Sequence, residues 1–288
     1  MIIFQKKLKS IGKFIVTFLS NMISFNNIGN LGRLANQMFQ YASLKGIAFN
    51  RGFDYCIPPK EVFGKIDSLV RTSDTNLYEC FDINPINVGV TQYKTQEEST
   101  FSFDEDLFHN CDDGININGY FQTEKYFENI EEDIRSEFKF KSEIYNPSKK
   151  KFDEFFEGSK VIALHIRRGD YISNSNHPVQ SLHYYEDALK LLDKNIAVLI
   201  LSDDSLWCKQ QKIFEDDRFF ISDLGNTCVD LCLMTMCDYH IIANSSFSWW
   251  GSWLSKSKQT IAPKVWFGEE LSKQKSTKDI YLKNWILL

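Results

Sequence analysis

At residues 161–170 the chain has the sequence VIALHIRRGD, an apolar run that ends in a polar and charged cluster. The apolar run is typical of a buried parallel strand, because both faces of such a strand are covered. Side chains alternate along a strand, so we expect His165 and Arg167 to share one face and Arg168 to lie on the other. Ligands of open α/β sheets bind beyond the carboxyl ends of the strands, and this cluster falls there.

The paired arginines of this cluster indicate a phosphorylated ligand. A planar guanidinium matches a phosphate group through two parallel hydrogen bonds. The alternative is a salt bridge between an arginine and Asp170 that closes the strand end. This alternative stays open for Arg168 and, less readily, for Arg167.

Composition sets the class of protein. The chain has 288 residues, 43% of them apolar and 25% charged, which is typical of a globular protein large enough for two domains. The net charge of −5 argues against nucleic acid as the main partner. The seven cysteines are scattered and form no CxxC pair, which favours free thiols in a reducing compartment over disulfides or a zinc site. We therefore expect a cytoplasmic protein.

Residues 1–20 form an N-terminal extension that combines four lysines with apolar side chains. No small-residue cleavage site follows, as a signal peptide would require. The apolar portion is shorter than the ~20 residues that span a bilayer. The segment fits a basic amphipathic helix in peripheral contact with an anionic membrane, and it fits equally an extra helix docked on the domain.

The first half of the chain begins with a strand at 22–28, a glycine turn and a helix from Leu34. Such a helix start presents unpaired N–H groups to whatever lies above it. Further short strands are predicted at 53–57, 77–83 and 115–122. Thr123 is expected to cap a helix that runs to about residue 138, and the Lys-rich segment 141–152 is predicted to be a linker.

The second half alternates strands with helices, which predicts a parallel sheet with right-handed crossovers. The strands are expected near 161–167, 196–201, 218–222, 239–243 and 259–262, and the helices near 182–193, 205–214, 227–237 and 246–256. The fold class is therefore α/β. We predict one lobe at 21–150 and a second at 151–288.

Polar residues follow several of these strands. Asn244, Ser245 and Ser246 precede a helix start, where hydroxyl and backbone N–H groups suit a diphosphate. The alternative is that a serine caps its own helix. Asp203 and Asp204 fit a divalent metal, but such a pair more often caps the next helix. The sequence has no dinucleotide-binding glycine motif, Walker loop, zinc-protease motif or nucleophile elbow, so those enzyme classes lose support.

Several segments in order along the chain resemble α-1,2-fucosyltransferases of glycosyltransferase family 11 and, more distantly, α-1,6- and protein-O-fucosyltransferases. They are Gly32–Ala42, Gly119–Gln122 with Tyr126–Phe127, His165–Tyr171, Ser202–Asp204, Asn244–Gly251, and Ala262–Lys264 with Trp266–Phe267. Two departures stand out. The family usually has Gly-Asn-Gln where this chain has Ala35-Asn36-Gln37, and residues 1–20 lie outside the pattern.

The resemblance implies a GT-B architecture, with two Rossmann-like lobes of parallel sheet facing a central cleft. The acceptor would bind mainly to the first lobe and GDP-fucose to the second, with the extreme C-terminus packing back on the first. Arg167 would bind the β-phosphate, and His165 and Asp230 the guanine nucleotide. The remaining donor-site residues are expected to be Arg168, Asp203, Ser245, Ser246, Phe247, Asn36 and Gln37.

The implied reaction is inverting transfer of L-fucose from GDP-β-L-fucose to the 2-hydroxyl of a terminal galactose, without a metal or other cofactor. Catalysis would come from positioning and from charge stabilisation by Arg167 beside His165. For the general base, Asp170, His177 and Glu124 stay open; Asp170 is preferred, although it equally suits holding an arginine. The alternatives are a transferase with another linkage or GDP-sugar, a nucleotide-sugar hydrolase, and a non-catalytic glycan-binding protein.

Overall fold

The computed structural model describes residues 21–60 and 77–288, and the expectations for residues 1–20 lie outside that part. Its strands form two parallel sheets, which confirms the α/β class. The first sheet has the order β3-β2-β1-β5-β4. Its strands are β1 Met22–Ser24, β2 Asp54–Ile57, β3 Asn87–Val88, β4 Lys94–Glu97 and β5 Ile115–Asn118.

The second sheet has the order β11-β10-β9-β6-β7-β8 and is also parallel throughout. Its strands are β6 Val161–Ile166, β7 Ala197–Ser202, β8 Phe219–Ile221, β9 Tyr239–Ile241, β10 Gln259–Ala262 and β11 Ile286–Leu287. The central strand β6 is buried along its whole length, which explains its continuous apolar run. Its partner β7 is in register, with His165 opposite Leu201.

Ten α-helices occur in the described residues. They are α1 Leu34–Arg51, α2 Leu77–Cys80, α3 Glu105–Asn110, α4 Glu131–Glu137, α5 Ser142–Phe156, α6 Leu182–Lys190, α7 Ser205–Cys208, α8 Thr227–Thr235, α9 Ser246–Ser255 and α10 Glu269–Ser272. Single 3₁₀ turns lie at Glu124–Tyr126, Glu128–Ile130, Gly169–Tyr171 and Lys212–Phe214. None of the helices in this part of the chain has the length and apolar character required to cross a membrane.

Two predicted elements of the first half were wrong. The segment 77–83 begins with the short helix α2, not a strand, because Leu77 and Cys80 at helical spacing are both buried. The predicted linker at 141–152 lies in helix α5. Its Phe152 and Phe156 are buried on one face, while its lysines form ion pairs with carboxylates four residues further on.

The expectation that the cysteines are free was wrong for one pair. Cys80 and Cys228 form a disulfide, with Cα atoms 5.3 Å apart and a sequence separation of 148 residues. Cys80 ends α2 and Cys228 lies in the first turn of α8, so the bond joins the two halves of the chain. The other five cysteines are free and buried.

Helices α1 and α9 pack against each other through aromatic side chains. The ring of Phe39 lies 4.6 Å from Trp249 and 4.9 Å from Trp250, and Phe127 stacks on Trp250 at 5.4 Å. Both tryptophans are fully buried in a core cluster that includes Ile23 of β1. This shared core extends from the first sheet to Ala262 of β10, whereas the apolar side chains of β6 and β7 pack in two further clusters.

The C-terminal segment contacts both halves. Strand β11 pairs with β10 in the second sheet. Just before it, Asp279 accepts hydrogen bonds from Lys125 at 2.6 Å and from the backbone N–H of Phe103 at 3.0 Å. The neighbouring Ile280 is buried in the shared core.

Candidate active site

A cavity of about 660 Å³ lies at the carboxyl ends of strands β6, β7 and β9, facing the start of α1. Of the donor-site residues expected from the sequence, this cavity brings together His165, Arg167, Asp203, Asp230, Ser245, Ser246, Phe247 and Asn36. Arg168 and Gln37 are outside it. Asp170 and His177 line it as well.

The N-termini of α1 and α9 both border this cavity. Gly32, Leu34 and Asn36 line it at the start of α1. Gly32 has a φ of +114°, and a Cβ there would lie 2.0 Å from the Asn36 side-chain nitrogen, so glycine is required. At the other helix, the first helical hydrogen bond runs from Trp249 N–H to the Ser245 carbonyl. The N–H groups before it give this end of the cavity a partial positive charge.

Ser245 is the residue before α9, and within the described residues its side chain makes no capping hydrogen bond to the helix. The interpretation of Ser245 as its own helix cap is therefore wrong. Ser245 borders the cavity. The backbone just before it is fixed through Asn244, which donates to the carbonyls of Pro178 and Trp266 at 3.1 and 2.9 Å.

Arg167 is held between two carboxylates. It donates from Nη2 to Asp170, and its Nη1 lies 3.0 Å from Asp203 Oδ2. Gly169 permits this arrangement, because a Cβ there would lie 2.5 Å from Asp203 Oδ2. The guanidinium has five N–H donors, so these two contacts leave further donors for a ligand.

Arg168 lies outside the cavity that Arg167 borders, which agrees with the alternation expected along the strand. Its guanidinium stacks 3.9 Å from the Trp207 ring, and its Nε donates to Asp204 at 3.1 Å. Asp204 also accepts from the N–H of Trp207 and so caps α7. Arg168 is thus in a salt bridge, but with Asp204, whereas Asp170 pairs with Arg167. The capping interpretation holds for Asp204.

The aspartates after β7 were also considered as a metal site. Among residues 21–60 and 77–288, no group of three His, Cys, Asp or Glu side chains is arranged to hold a metal ion. Asp203 accepts from the backbone N–H of Arg168 at 2.8 Å in addition to its contact with Arg167.

His165 is buried at the end of β6, 5.4 Å from the Phe247 ring. Burial, together with the charge of Arg167, lowers the pKa of His165 to about 3, so its imidazole is neutral at physiological pH. No protein group in the described residues bonds its buried Nδ1. His165 therefore offers a neutral imidazole at the cavity wall, with one ring nitrogen unpaired.

Asp230 lies near the start of α8 and borders the same cavity. The Ser222 hydroxyl donates to its Oδ1 at 2.9 Å. Burial raises the pKa of Asp230 to about 6, and the hydrogen bond from Ser222 opposes that rise. The helix itself is capped by Asn226, which accepts from the Val229 N–H, so Asp230 is not needed as a cap.

Asn36 and Gln37 are adjacent in α1 but lie in different environments. Asn36 borders the cavity, donates to the Leu31 carbonyl and accepts from Gln122. Gln37 is buried outside the cavity, and its side-chain oxygen accepts from the N–H of Leu77. Residues adjacent on a helix point about 100° apart, which explains why one of the pair faces the cavity.

The three candidate bases occupy different places. Asp170 is in the cavity, bonded to Arg167 and 3.9 Å from Arg33. His177 is also in the cavity, stacked on Tyr171 at 5.1 Å. Burial lowers the pKa of His177. Glu124 accepts from the Trp253 indole instead and is outside the cavity.

The far end of the cavity was not predicted as a site. It is formed by three aromatic rings, Phe101, Tyr120 and Phe267, with Lys275 against them. Tyr120 and Phe267 belong to segments that carried the family resemblance. Phe101 and Lys275 belong to irregular stretches whose sequence gave no signal of a site.

The chain is similar to characterised glycosyltransferases. It is 33% identical over 277 residues to an α-1,2-colitosyltransferase of Escherichia coli, covering 83% of this chain and 91% of that protein. It is 22% identical to galactoside α-(1,2)-fucosyltransferase 2 of Sus scrofa over 246 residues, covering 79% of this chain and 69% of that one.

The fold is also that of a solved enzyme structure. The α-1,6-fucosyltransferase NodZ of Bradyrhizobium, soaked with GDP-fucose, superposes with a TM-score of 0.54 at 13% identity, covering 87% of this chain and 98% of that one. The GT-B-like prediction is thereby confirmed. The family model for glycosyl transferase family 11 matches residues 2–288. This chain is a member of glycosyl transferase family 11.

Proposed function

We propose that the protein transfers L-fucose from GDP-β-L-fucose to the 2-hydroxyl of a terminal galactose, inverting the anomeric carbon without a metal. The observation that carries this proposal is the convergence of two helix N-termini and Arg167 on one cavity. That combination suits a diphosphate, because N–H dipoles and a guanidinium both favour phosphate oxygens. The names of the α-1,2-transferases to which the chain is similar support the linkage.

In this proposal the donor lies along the second half of the chain. Arg167 binds the β-phosphate, and the start of α9 binds the phosphates through Ser245, Ser246 and Phe247. Asp203 keeps the Arg167 guanidinium oriented, as its 3.0 Å contact supports. His165 and Asp230 contact the guanosine, where a carboxylate can accept from the guanine N–H groups. The start of α1, at Asn36, closes the site from the opposite side.

The acceptor hydroxyl attacks C1 of the sugar while the bond from C1 to the β-phosphate oxygen breaks. Negative charge grows on that oxygen, and Arg167 and the α9 N-terminus stabilise it. Groups that are already oriented toward growing charge need no reorganisation during the reaction, which is why they accelerate it. The two cationic features supply the stabilisation that a bound divalent metal gives in other transferases.

The proton of the acceptor hydroxyl goes to a base in the cavity. Asp170 and His177 both border it. Because Asp170 already accepts from Arg167, its substitution also disturbs the guanidinium. A base is distinguished from a positioning residue by the pH profile of kcat. Replacing the base lowers kcat and abolishes the decrease of kcat at low pH. Replacing a positioning residue lowers kcat but keeps that decrease.

A second donor is favoured by one observation, the similarity to a colitosyltransferase. Colitose is fucose without the 3-hydroxyl, so both donors present the same GDP to the diphosphate and guanosine contacts. The two hypotheses therefore differ at one hydroxyl of the sugar. A site that hydrogen-bonds this hydroxyl discriminates strongly against the deoxy sugar, because its own polar groups would stay unpaired.

The deciding experiment measures GDP release by the purified protein with GDP-fucose or GDP-colitose, with lactose present or absent, in EDTA. Lactose-dependent release from GDP-fucose, with an α-1,2 product by NMR, supports the proposal. Preference for GDP-colitose supports the second donor. Release without acceptor indicates hydrolysis, and glycan binding without any release indicates a non-catalytic protein. Loss of release in EDTA that Mg²⁺ restores contradicts metal independence.

A further inference from the structure

Lys275 occupies an unusual position at the far end of the cavity. Its Nζ lies 4.5 Å from the centroid of the Phe101 ring and 4.7 Å from that of Tyr120. The two rings are 6.1 Å apart, and Phe101 also meets Phe267 edge-on at 5.0 Å. The ammonium group is thus held against two aromatic rings by cation–π attraction.

Within the described residues, the charge of Lys275 has no counterion in direct contact. No carboxylate in residues 21–60 and 77–288 lies within 4.0 Å of its Nζ. The side chain is partly buried, and burial lowers its pKa, with Glu98 opposing that shift. Glu98 itself is engaged elsewhere, accepting from the N–H groups of Tyr120 and Phe121 at 3.0 Å. A partly desolvated cation without a paired anion is costly unless a ligand supplies the anion.

We infer that this end of the cavity binds an acceptor glycan with an anionic group, a carboxylate or a phosphate, next to the accepting sugar. Lys275 pairs with that anion, and the rings of Tyr120, Phe101 and Phe267 pack on the apolar faces of the sugars. This inference rests on the proposed function, which places the donor diphosphate at the other end, beside Arg167. It adds the chemical class of the acceptor.

The surrounding groups support an anion more than a neutral sugar. His177 lies between the two ends, with its ring 5.1 Å from that of Tyr171 and 5.5 Å from that of Phe267. Burial lowers its pKa, and the charge of Lys275 contributes to that lowering. A neutral acceptor needs hydroxyl and amide partners, which a lysine between two rings supplies poorly. An anion next to three ammonium N–H donors gains a charge-assisted hydrogen bond.

The test uses pairs of galactosides that differ in charge. Lactobionate and lactitol share a terminal galactose and an open-chain aglycone, and lactobionate ends in a carboxylate. Lactose 1-phosphate and lactose form the phosphate pair. For each pair we measure kcat/KM with GDP-fucose for the wild type, Lys275→Gln and Lys273→Gln. Lys273 is the matched control, because it is exposed, paired with Glu269 and Glu270, and outside the cavity.

For the wild type and Lys273→Gln, we expect an anionic preference of ~10-fold or more in at least one pair, the effect of one charge-assisted hydrogen bond. Lys275→Gln should bring that ratio to about one while GDP affinity, measured by calorimetry, is retained. The acceptor pair whose kcat/KM ratio changes on this substitution shows whether the anion is a carboxylate or a phosphate. Equal use of charged and neutral acceptors by the wild type overturns the inference, as does a preference that survives Lys275→Gln. Absence of transfer and of GDP binding in the wild type overturns the proposed function instead.

Discussion

Replacing Asp230 by asparagine should make the protein more stable and weaken its binding of GDP. Burial raises the pKa of Asp230 from its ordinary 3.8 to about 6. One pKa unit corresponds to ~1.36 kcal/mol, so ionised Asp230 lowers the free energy of unfolding by roughly 2–3 kcal/mol at most. Partial exposure of the side chain reduces this to about 1–2 kcal/mol. Asparagine keeps an oxygen that can accept from Ser222 and carries no charge.

The sign of the pH dependence follows from the raised pKa. Between about pH 4 and pH 6 the folded protein holds a proton on Asp230 that the unfolded chain has lost. The contribution of this proton to the free energy of unfolding is fully present below pH 4 and is lost as the pH rises through 6. The advantage of Asp230→Asn should therefore be absent near pH 4, grow up to pH 6 and stay constant at pH 8.

Urea unfolding at pH 4, 6 and 8 measures this advantage, with Asp223→Asn as the control. Asp223 is exposed and paired with Lys209, which lowers its pKa, so its substitution should not stabilise the fold. Calorimetry should show GDP binding about tenfold weaker for Asp230→Asn, the loss of one charge-assisted hydrogen bond. A stability gain that is equal at pH 4 and pH 8 would refute the reasoning, as would a variant that is less stable at pH 8.

Three further predictions test other contacts of the site and the fold. Arg167→Lys should lower kcat by ~10²–10³ at saturating GDP-fucose in the GDP-release assay, because an ammonium cannot replace the guanidinium fork. Gly169→Ala should lower kcat by about tenfold with an unchanged melting temperature, because the new Cβ displaces Asp203 and with it the guanidinium it orients. Replacing Cys80 and Cys228 by serine should lower the free energy of unfolding by ~2–5 kcal/mol in urea; reductant should destabilise the wild type and leave this variant unchanged.

The second sheet and its polar edge could be predicted because their signals are local. A buried parallel strand such as β6 is an unbroken apolar run, and the residues after it must reach the edge where ligands bind. The same alternation that placed Arg167 in the cavity placed Arg168 outside it. The donor-site prediction for Arg168 came from its pairing with Arg167, whereas its guanidinium lies outside the cavity and stacks on Trp207.

Features that depend on distant parts of the chain could not be predicted. The disulfide joins residues 148 positions apart, and scattered cysteines do not reveal such a pair. Lys275 meets Phe101 and Tyr120 across more than 150 residues, and Lys275 and Phe101 come from irregular segments without periodicity. Helix α5 was missed because its lysines suggested a solvated linker, whereas Phe152 and Phe156 give it a buried face.

The packing of α1 on α9 explains how catalysis by positioning is possible in this fold. Both helices begin at the cavity, and their bodies meet through Phe39, Trp249 and Trp250. Close-packed aromatic cores resist small displacements, since each lost contact reduces dispersion attraction. The distance between the two helix N-termini is therefore set by the core itself. The diphosphate site that we propose between these two N-termini is thus preformed, so in the proposed reaction the leaving group stays aligned without rotation of one sheet against the other.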